Sequence, residues 1–481
     1  MSKTIKEKGN YRWTICALLF FATTINYLDR QVLSLTWSEF IAPEFHWTNN
    51  DYGNITALFS IFYAISLLFA GRVVDVLDTK KGFLLAIGVW SVGACLHAFA
   101  GIATSGVITG NWFLGFEGAK EIIGGIQNTA TVISVSVTLF ILARFVLAVG
   151  EAGNFPAAIK ATAEYFPKKD RAYATSIFNA GATVGALAAP VTIPFIAKSF
   201  GWEMSFIVIG ALGFVWMGFW MFLYDKPEKH KKVCEAELAY IQQDNIPTEN
   251  EGNSVTESAG KVSLAKCFQY KQTWAFAFGK FMTDGVWWFF LFWTPAYLSS
   301  VYNMDSAQSA FPLFVLYMIT LLSIIGGWLP TYFVEKKGMN PYEGRMKAML
   351  IFAFFPLLAM FAQPLGKYSY WLPVIIIGIA GAAHQAWSAN IFTTVGDMFP
   401  KKAIATITGI GGLAGGLGST LINKGSGVLF DYTKETNMDF IGFQGIEAGY
   451  FIIFSICAVC YLTGWYVMKT LVPKYKPITD L

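Results

Sequence analysis

Charged side chains are scarce in this sequence. Asp, Glu, Lys and Arg together make up 14% of its 481 residues, against about 25% in a typical soluble domain. Hydrophobic residues make up 55%, and the mean hydropathy is +0.48. Because the shortage of charge is concentrated in long segments, it argues against a chain surrounded by water and indicates a lipid environment. Helices satisfy their own backbone hydrogen bonds in lipid, so the sequence predicts an all-α integral membrane protein.

Signatures of other protein classes are also absent. The N-terminal hydrophobic run is too long for a signal peptide and has no small-residue cleavage site, which predicts that it stays as a helix. Four of the six cysteines lie in apolar segments and two in a charged loop, unlike a disulfide framework. No HExxH, GxSxG or nucleotide-binding glycine loop occurs, and the four histidines are scattered. We therefore expect neither an enzyme nor a cofactor or metal.

Apolar runs long enough to cross about 30 Å of hydrocarbon occur throughout the chain. Six of them fall in the first half and six in the second, near 13–33, 54–77, 82–103, 134–156, 172–197, 204–224, 274–300, 311–333, 346–365, 370–395, 404–430 and 448–470. This pattern predicts two six-helix bundles, at 1–225 and 272–481, joined by a hydrophilic cytoplasmic linker at 226–271. A glycine-rich stretch at about 104–130 is predicted to be an outside insert.

The positions of Lys and Arg predict the orientation in the membrane. With the N-terminus in the cytoplasm, most of the 35 Lys and Arg residues fall on the cytoplasmic side. Those that fall in outside loops are Lys120, Lys198, Lys367, Lys424 and Lys434. Such a bias over short loops predicts that both termini are cytoplasmic. We expect a monomeric multi-pass protein of the cell inner membrane, in contact with lipid and without a nucleic-acid partner.

Two short motifs occur once in each half. The motif at 71–82, a Gly followed later by Lys-Lys-Gly, returns with the same spacing at 327–338. The motif Glu-Tyr-Phe-Pro-Lys-Lys at 164–169 returns at 397–402 as Asp-Met-Phe-Pro-Lys-Lys. Parallel repeats of this kind are typical of transporters whose binding site lies near the membrane midplane, between the two halves.

Several charged residues lie well inside the apolar runs. They are Asp29 and Arg30 in the first run, Arg144 and Glu151 in the fourth, and Lys280 and Asp284 in the seventh. A charge at the bilayer centre costs about 2.5–3.5 kcal/mol on insertion scales, so each needs a partner or a function. An arginine can bind a carboxylate through two hydrogen bonds, and a buried carboxylate can load and release a proton. The pair Lys280 and Asp284, one helical turn apart, fits either a structural ion pair or a functional site.

The sequence resembles the major facilitator superfamily, and within it the anion:cation symporter group. Asn-Tyr-Leu-Asp-Arg at 26–30 and the segment from Ala143 to Pro156 match signatures of that group. The motif at 71–82 resembles a superfamily loop motif, with Val76 in place of the usual Arg; its gating or structural positions are Gly71, Asp75, Lys80 and Lys81. The segments 287–295 and 384–390 resemble hexuronate transporters in particular.

This resemblance, together with the buried charges, predicts the site. Arg30 is expected to bind the carboxylate of a sugar acid, Arg144 to alternate between the substrate and Asp29, and Asp29 and Glu151 to carry protons. A sugar acid also needs partners for its hydroxyl groups. The further substrate-binding candidates are Tyr27, Tyr63, Asn179, Lys280, Trp287, His384, Gln385, Trp387, Ser388 and Asn390. The function predicted is proton-coupled symport of a small organic anion, most simply a hexuronate.

Other functions stay open. An organophosphate/phosphate exchanger also places cations in the first and seventh helices, as Arg30 and Lys280 do, although Asp29 and Glu151 would repel a dianionic phosphate. Sodium in place of protons is another alternative within the same fold. A membrane receptor or sensor would normally carry a sizeable soluble output domain, and the longest loop is too short for one.

Overall fold

The computed structural model describes residues 9–243, 264–400 and 403–479, and this part of the chain is almost entirely helical. The helices of the first half are α1 (Tyr11–Thr36), α2 (Ala42–Phe45), α3 (Asn49–Ala98), α4 (Ala100–Thr109), α5 (Phe116–Gly125), α6 (Thr129–Glu151), α7 (Asn154–Tyr165), α8 (Lys168–Phe200) and α9 (Trp202–Leu223). A π-helical turn at Trp37–Ile41 joins α1 to α2.

The second half has the same helical character. Its helices are α12 (Lys271–Tyr302), α13 (Ser306–Thr320), α14 (Ile325–Lys337), α15 (Pro341–Phe354), α16 (Ala362–Gly366), α17 (Trp371–Met398), α18 (Ile404–Glu435) and α19 (Ile446–Leu471). Short 3₁₀ segments at Leu321–Ile324 and Phe355–Phe361 link α13 to α14 and α15 to α16. The strands β1 (Asp439–Phe440) and β2 (Phe443–Gln444) form a small antiparallel hairpin before α19.

Nine segments of the described chain have the length and apolar composition of membrane spans. Three other long helices, α1, α12 and α18, occupy the positions of the first, seventh and eleventh predicted runs. They fall short on composition because α1 and α12 carry buried charges and α18 is rich in glycine and polar residues. The all-α class and several helices long and apolar enough to cross a membrane are thus confirmed. The three less apolar helices are those that carry or adjoin the candidate site.

The helix α3 contains two candidate spans, Asn49–Val74 and Val76–Ala98, which correspond to the second and third predicted runs. Its backbone is kinked at Asp78. At the bend Asp78 has φ 70° and ψ 156°, a conformation that is costly for any residue but glycine. The Asp78 carboxylate accepts a hydrogen bond from the Thr79 amide at 2.8 Å and pairs with Lys226 at 3.3 Å. These contacts hold the strained turn between the two spans.

Glycine allows the helices of the first half to pack closely. A Cβ on Gly150 would lie 2.3 Å from the backbone nitrogen of Trp90, and one on Gly93 would lie 2.4 Å from that of Leu147. The second span of α3 and α6 therefore touch through their backbones. This packing fixes the part of α6 that ends at Glu151.

The beginning of the linker folds against the first half. It contains a 3₁₀ turn at Pro227–Lys229 and α10 (Glu235–Ile241), followed beyond residue 263 by α11 (Leu264–Cys267). The buried carboxylate of Glu237 accepts hydrogen bonds from the backbone amides of Tyr11 and Arg12, at 3.1 and 3.0 Å, and from Arg12 Nη1 at 3.1 Å. Because the first amides of a helix have no partner within it, Glu237 completes the start of α1.

Candidate functional site

Arg30 and Glu151 join two helices of the first half. Arg30 Nε and Nη2 donate hydrogen bonds to Glu151 Oε2 at 3.0 and 2.7 Å, and the two side chains are 5% and 0% exposed. Glu151 is the last residue of α6, and the span is interrupted before α7 begins at Asn154. Removing one partner of a buried pair leaves an uncompensated charge. The structure therefore brings two of the predicted site residues into direct contact.

Three aromatic rings surround the Arg30 guanidinium. Its Cζ lies 5.2 Å from the ring centroid of Tyr27, 4.7 Å from that of Tyr63 and 5.0 Å from that of Trp288, distances at which a cation is attracted to a ring face. Trp288 belongs to α12, so this cage spans the boundary between the two halves. Sequence reasoning selected Tyr27, Tyr63 and Trp287 and missed Trp288. Adjacent helical residues point about 100° apart, and only the fold determines which tryptophan faces Arg30.

Asp29 and Arg144 are buried but unpaired. Within the described residues, neither Asp29 oxygen has a hydrogen-bond partner, and neither do Nε and Nη1 of Arg144. The Arg144 Cζ instead lies 5.1 Å from the ring centroid of Phe59. A buried group left without a partner costs about 1–3 kcal/mol, so Arg144 is the guanidinium of this site that would gain most from an added anion. The predicted contact between Arg144 and Asp29 is not formed in this conformation.

Two buried amides near the charged residues were not selected from the sequence. Asn26, one helical turn before Arg30, and Asn154, the first residue of α7, each have an amide nitrogen and oxygen without a hydrogen-bond partner among the described residues. Both lie within the symporter signatures at 26–30 and 143–156, which were the available signal. The first half thus holds buried polar atoms close in sequence to Arg30 and Glu151 that no group of the described chain satisfies.

The charges of the second half are paired within that half. Lys280 Nζ lies 2.6 Å from Asp284 Oδ2, one turn further along α12, and 4.2 Å from the ring centroid of Phe392. His384 stacks on Trp287, with ring centroids 5.3 Å apart and planes at 1°. His384 Nδ1 also shares a 2.7 Å hydrogen bond with the hydroxyl of Tyr461, a residue that sequence reasoning missed. The predicted residues Lys280, Trp287 and His384 are therefore engaged by partners of their own half.

The remaining candidates of the second half occupy different environments. Asn390 Nδ2 donates to the carbonyl oxygens of Gly326 and Ala386, both at 2.8 Å, and so ties α17 to α14. Trp387 is fully buried, and its Nε1 has no acceptor among the residues that the structure describes. Gln385 and Ser388 are partly exposed on α17. The first-half candidate Asn179 is exposed on α8. Of this group, Asn390 has the clearest structural role, because both amide hydrogens are used on backbone.

The motif that follows the first span of α3 lies away from these charges. Lys80 Nζ is 3.8 Å from the carboxylate of Asp225, while Lys81 is exposed. Gly71 has open space where a Cβ would stand. The side chain of Asp75 lies outside the part of the chain that the structure describes.

The two halves meet at one end of the molecule, which we call the closed end. There the Asp431 carboxylate accepts hydrogen bonds from the Asn49 and Asn50 backbone amides at 3.0 and 2.6 Å. Lys424 donates to the side-chain oxygens of Asn50 and Asn54. Further links join Glu39 to the Ser306 amide, Lys198 to Asp305, Tyr52 to the Phe292 carbonyl, Thr420 to the Ala57 carbonyl, and Ser60 to Ser419.

These contacts have a clear polarity along the helices. On the side of the first half, all hydrogen bonds and ion pairs between the halves in the described residues involve positions 39–60 or Lys198. These positions lie toward the C-terminal ends of α1 and α8 and the N-terminal end of α3. At the opposite end, where α1 and α12 begin, no such link joins the described parts of the halves. The arrangement is closed at one end only.

Comparison with known proteins agrees with this architecture. Residues 19–422 match the Major Facilitator Superfamily. The chain is 28% identical over 481 residues to the hexuronate transporter of Escherichia coli (strain K12), covering 99% of this chain and 97% of that protein. It is 27% identical over 336 residues to the galacturonate transporter of Dickeya chrysanthemi, covering 70% of this chain and 86% of that protein.

Solved structures show the same fold at lower identity. A bacterial homolog of the human lysosomal transporter Spinster, in an inward-facing and unoccupied conformation, aligns with a TM-score of 0.70 and 16% identity over 99% of this chain and all of that chain. A D-xylose-proton symporter aligns with a TM-score of 0.64 and 15% identity, covering 98% of this chain and 99% of that chain. Together with the match over residues 19–422, these similarities identify the chain as a multi-pass membrane transporter that belongs to the Major Facilitator Superfamily.

Proposed function

We propose that this protein carries a hexuronate or a related sugar acid across the cell inner membrane in symport with protons. The observation that supports this most directly is the difference between the two buried arginines. Glu151 pairs with Arg30, whereas Arg144 has no anionic partner in the described part of the chain. A site with one guanidinium occupied by an internal carboxylate and another unpaired is suited to an incoming carboxylate. The names of the similar hexuronate and galacturonate transporters support the same class of substrate.

Competition for Arg30 would couple the solute to the proton. While Glu151 is ionised, it occupies the Nε and Nη2 edge of Arg30. Protonation of Glu151 weakens these charge-assisted hydrogen bonds and frees that edge for the carboxylate of the substrate. Arg144 adds a second cation that attracts the anion, and Asp29, buried nearby in α1 without a partner, offers a second protonation site.

Alternating access would then move the two halves about this site. We propose twelve spans in bundles at 1–225 and 272–481, with an outside insert at about 104–130, a cytoplasmic linker at 226–271 and both termini in the cytoplasm. In that orientation the closed end faces outward, and the conformation described here is open toward the cytoplasm. Transport of a solute from outside requires the contacts of Asp431, Lys424 and Lys198 to break and re-form in each cycle.

Uptake into proteoliposomes tests this function. An imposed inward proton gradient should drive accumulation of labelled galacturonate or glucuronate in vesicles that contain neither sodium nor phosphate. A sodium gradient without a pH gradient should drive none, and internal phosphate should not stimulate uptake. Accumulation that needs internal phosphate would instead indicate an exchanger, and dependence on sodium would reject proton coupling. Specific binding without uptake would favour a receptor.

A further inference from the structure

A cavity of about 530 Å³ lies at the closed end, away from Arg30 and its cage. We call it the vestibule. Its lining includes Trp37, Trp47, Ser299, Asp431 and Lys434. Trp37 stacks on Tyr52, with ring centroids 4.1 Å apart and planes at 5°, and meets the edge of Trp293 at 6.0 Å. Trp37 and Tyr52 belong to the first half and Trp293 to the second, so these rings pack across the boundary between the halves beside the vestibule. A solute in the vestibule would therefore lie among the contacts of the closed end. Its volume is within the range of about 300–1,000 Å³ common for small-molecule sites.

The lining of the vestibule is chemically suited to a polyhydroxylated acid. Trp37 is 4% exposed, and its Nε1 is a buried donor without an acceptor among the described residues. Ser38 and Ser299 are partly exposed and add hydroxyl groups, while Lys434 and Glu435 are exposed and add one charge of each sign. Hydroxyl groups of a solute can donate to the carboxylates of Asp431 and Glu435 and exchange hydrogen bonds with the serine hydroxyl groups. The carboxylate of the solute would be attracted to Lys434.

Asp431 belongs both to this lining and to the contacts that keep the end closed. Its two oxygens accept hydrogen bonds from Asn49 N, Asn49 Nδ2 and Asn50 N at 3.0, 2.9 and 2.6 Å. The Thr48 side chain accepts a hydrogen bond from the amide of Asp51, the third residue of α3. The amides of the first two residues, Asn49 and Asn50, are bound by Asp431 instead. A hydroxyl group that binds Asp431 must compete with these donors across the boundary between the halves.

We propose that the vestibule is a second sugar-acid site, in which the bound solute competes for Asp431 and thereby weakens the closed end. This inference rests on the proposed function. It gives the outer face a part in the transport cycle: the solute binds before the interior is accessible, and its binding favours opening toward the side from which it came. Because the vestibule has exposed charges at its rim and lacks the buried guanidinium groups of the central site, we expect it to bind the solute more weakly than the central site.

Equilibrium binding of labelled galacturonate to the full chain in nanodiscs tests the proposal. The wild-type protein should show two sites of different affinity, and Lys434→Gln should weaken the lower-affinity site at least fivefold while sparing the other. Lys367→Gln is the matched control, because Lys367 is an exposed lysine whose partners are the Gly442 carbonyl and the Phe443 ring, outside the vestibule. A single site in the wild-type protein, or two sites that Lys434→Gln leaves unchanged, overturns the proposal.

A second measurement tests the effect on the closed end. Labels at Gln127 and Thr436, which are exposed on the two halves, report the separation of the halves in a variant in which Cys95 and Cys234 are replaced. Galacturonate should increase the population with a long distance in Arg144→Gln, whose central anion site is impaired, and Asp431→Asn should do so without solute. If the distances change in neither case, the link to Asp431 is rejected.

The two proposals can fail separately. If the wild-type protein neither binds nor transports any sugar acid, the proposed function itself fails. If it transports normally with one binding site, only this inference fails.

Discussion

The two halves share a helical repeat but use their buried charges differently. In the first half, Arg30 and Glu151 pair between helices that are distant in sequence, while Asp29 and Arg144 form no ion pair with any residue that the structure describes. In the second half, Lys280 and Asp284 lie one turn apart on the same helix and satisfy each other at 2.6 Å. A pair within one helix moves as a unit, whereas a pair between helices can separate when either helix moves.

The acid of the repeated motif, at the ends of α7 and α17, also has different partners in the two halves. Asp397 binds Arg345 through two hydrogen bonds, at 2.7 and 3.3 Å. Glu164, its counterpart, instead accepts hydrogen bonds from the hydroxyl groups of Thr79 and Tyr224. The halves therefore keep the positions of the repeat and change its chemistry. We infer that the first half binds the anion and the proton, and that the second half lines the binding cavity and moves relative to the first half.

Among the predicted variants, replacement of Arg30 should reduce transport most, because Arg30 lies at the centre of the charged group in the first half. We expect Arg30→Lys to reduce galacturonate uptake at least 100-fold, because an ammonium cannot offer the planar pair of donors that Glu151 and a carboxylate would share. Uptake into proteoliposomes measures the effect, and size-exclusion chromatography checks that the variant is folded. Uptake within threefold of wild type would show that a point charge is enough and that the paired geometry is not used.

Glu151→Gln should separate coupling from solute movement. The amide resembles a permanently protonated Glu151, so we expect proton-driven accumulation to fall at least tenfold while galacturonate counterflow without a pH gradient continues. Asp29→Asn is expected to lower accumulation in the same direction. Asp284→Asn is the control from the second half, and its effect should be on stability rather than on the response to the proton gradient. Undiminished accumulation in both Glu151→Gln and Asp29→Asn would remove these residues from the coupling mechanism.

The pair Lys280 and Asp284 distinguishes a structural from a substrate role in the second half. If the pair is structural, Lys280→Gln and Asp284→Asn should each destabilise the protein by about 3–5 kcal/mol, because a buried charge is left unpaired. The double variant should recover more than half of the lost stability and of the transport activity. Thermal unfolding in detergent and uptake measure the two quantities. A stable Lys280→Gln variant whose lost transport the second substitution does not restore would assign Lys280 to the substrate.

The smallest effect is expected where the halves meet at the surface. Lys198 pairs with Asp305 at 2.8 Å and with Glu39 at 3.6 Å, and its side chain is 33% exposed. Exposed ion pairs contribute at most about 1 kcal/mol, so Lys198→Met should change the uptake rate by less than about fivefold and should matter less at high salt. Lys367→Met, at an exposed lysine without an ion pair, serves as control. A loss above tenfold would show that Lys198 does more than stabilise the closed end.

The sequence by itself determined which segments are long and apolar enough to cross a membrane, and which charged residues lie within those segments. Runs of apolar residues long enough to span a bilayer are a local property, and so is the cost of placing Asp29 or Arg144 among them. The signature at 26–30 and the repeated motifs were sufficient for the family, which the match over residues 19–422 confirms. Even the bend near Asp78 was foreseeable as a break between two runs, although its backbone conformation was not.

Only the tertiary structure decided which partner each of these side chains takes. Nothing in the local sequence distinguishes Trp288, which faces Arg30, from Trp287, which faces His384, or shows that both amide hydrogens of Asn390 are bound to backbone. The pairing of Glu151 with Arg30, and the absence of a partner for Arg144, likewise depend on how α1 and α6 cross. The free-energy cost of placing a charge in the membrane depends on the residues along one helix. Hydrogen bonds and ion pairs between helices depend instead on distances between segments that are far apart in the chain.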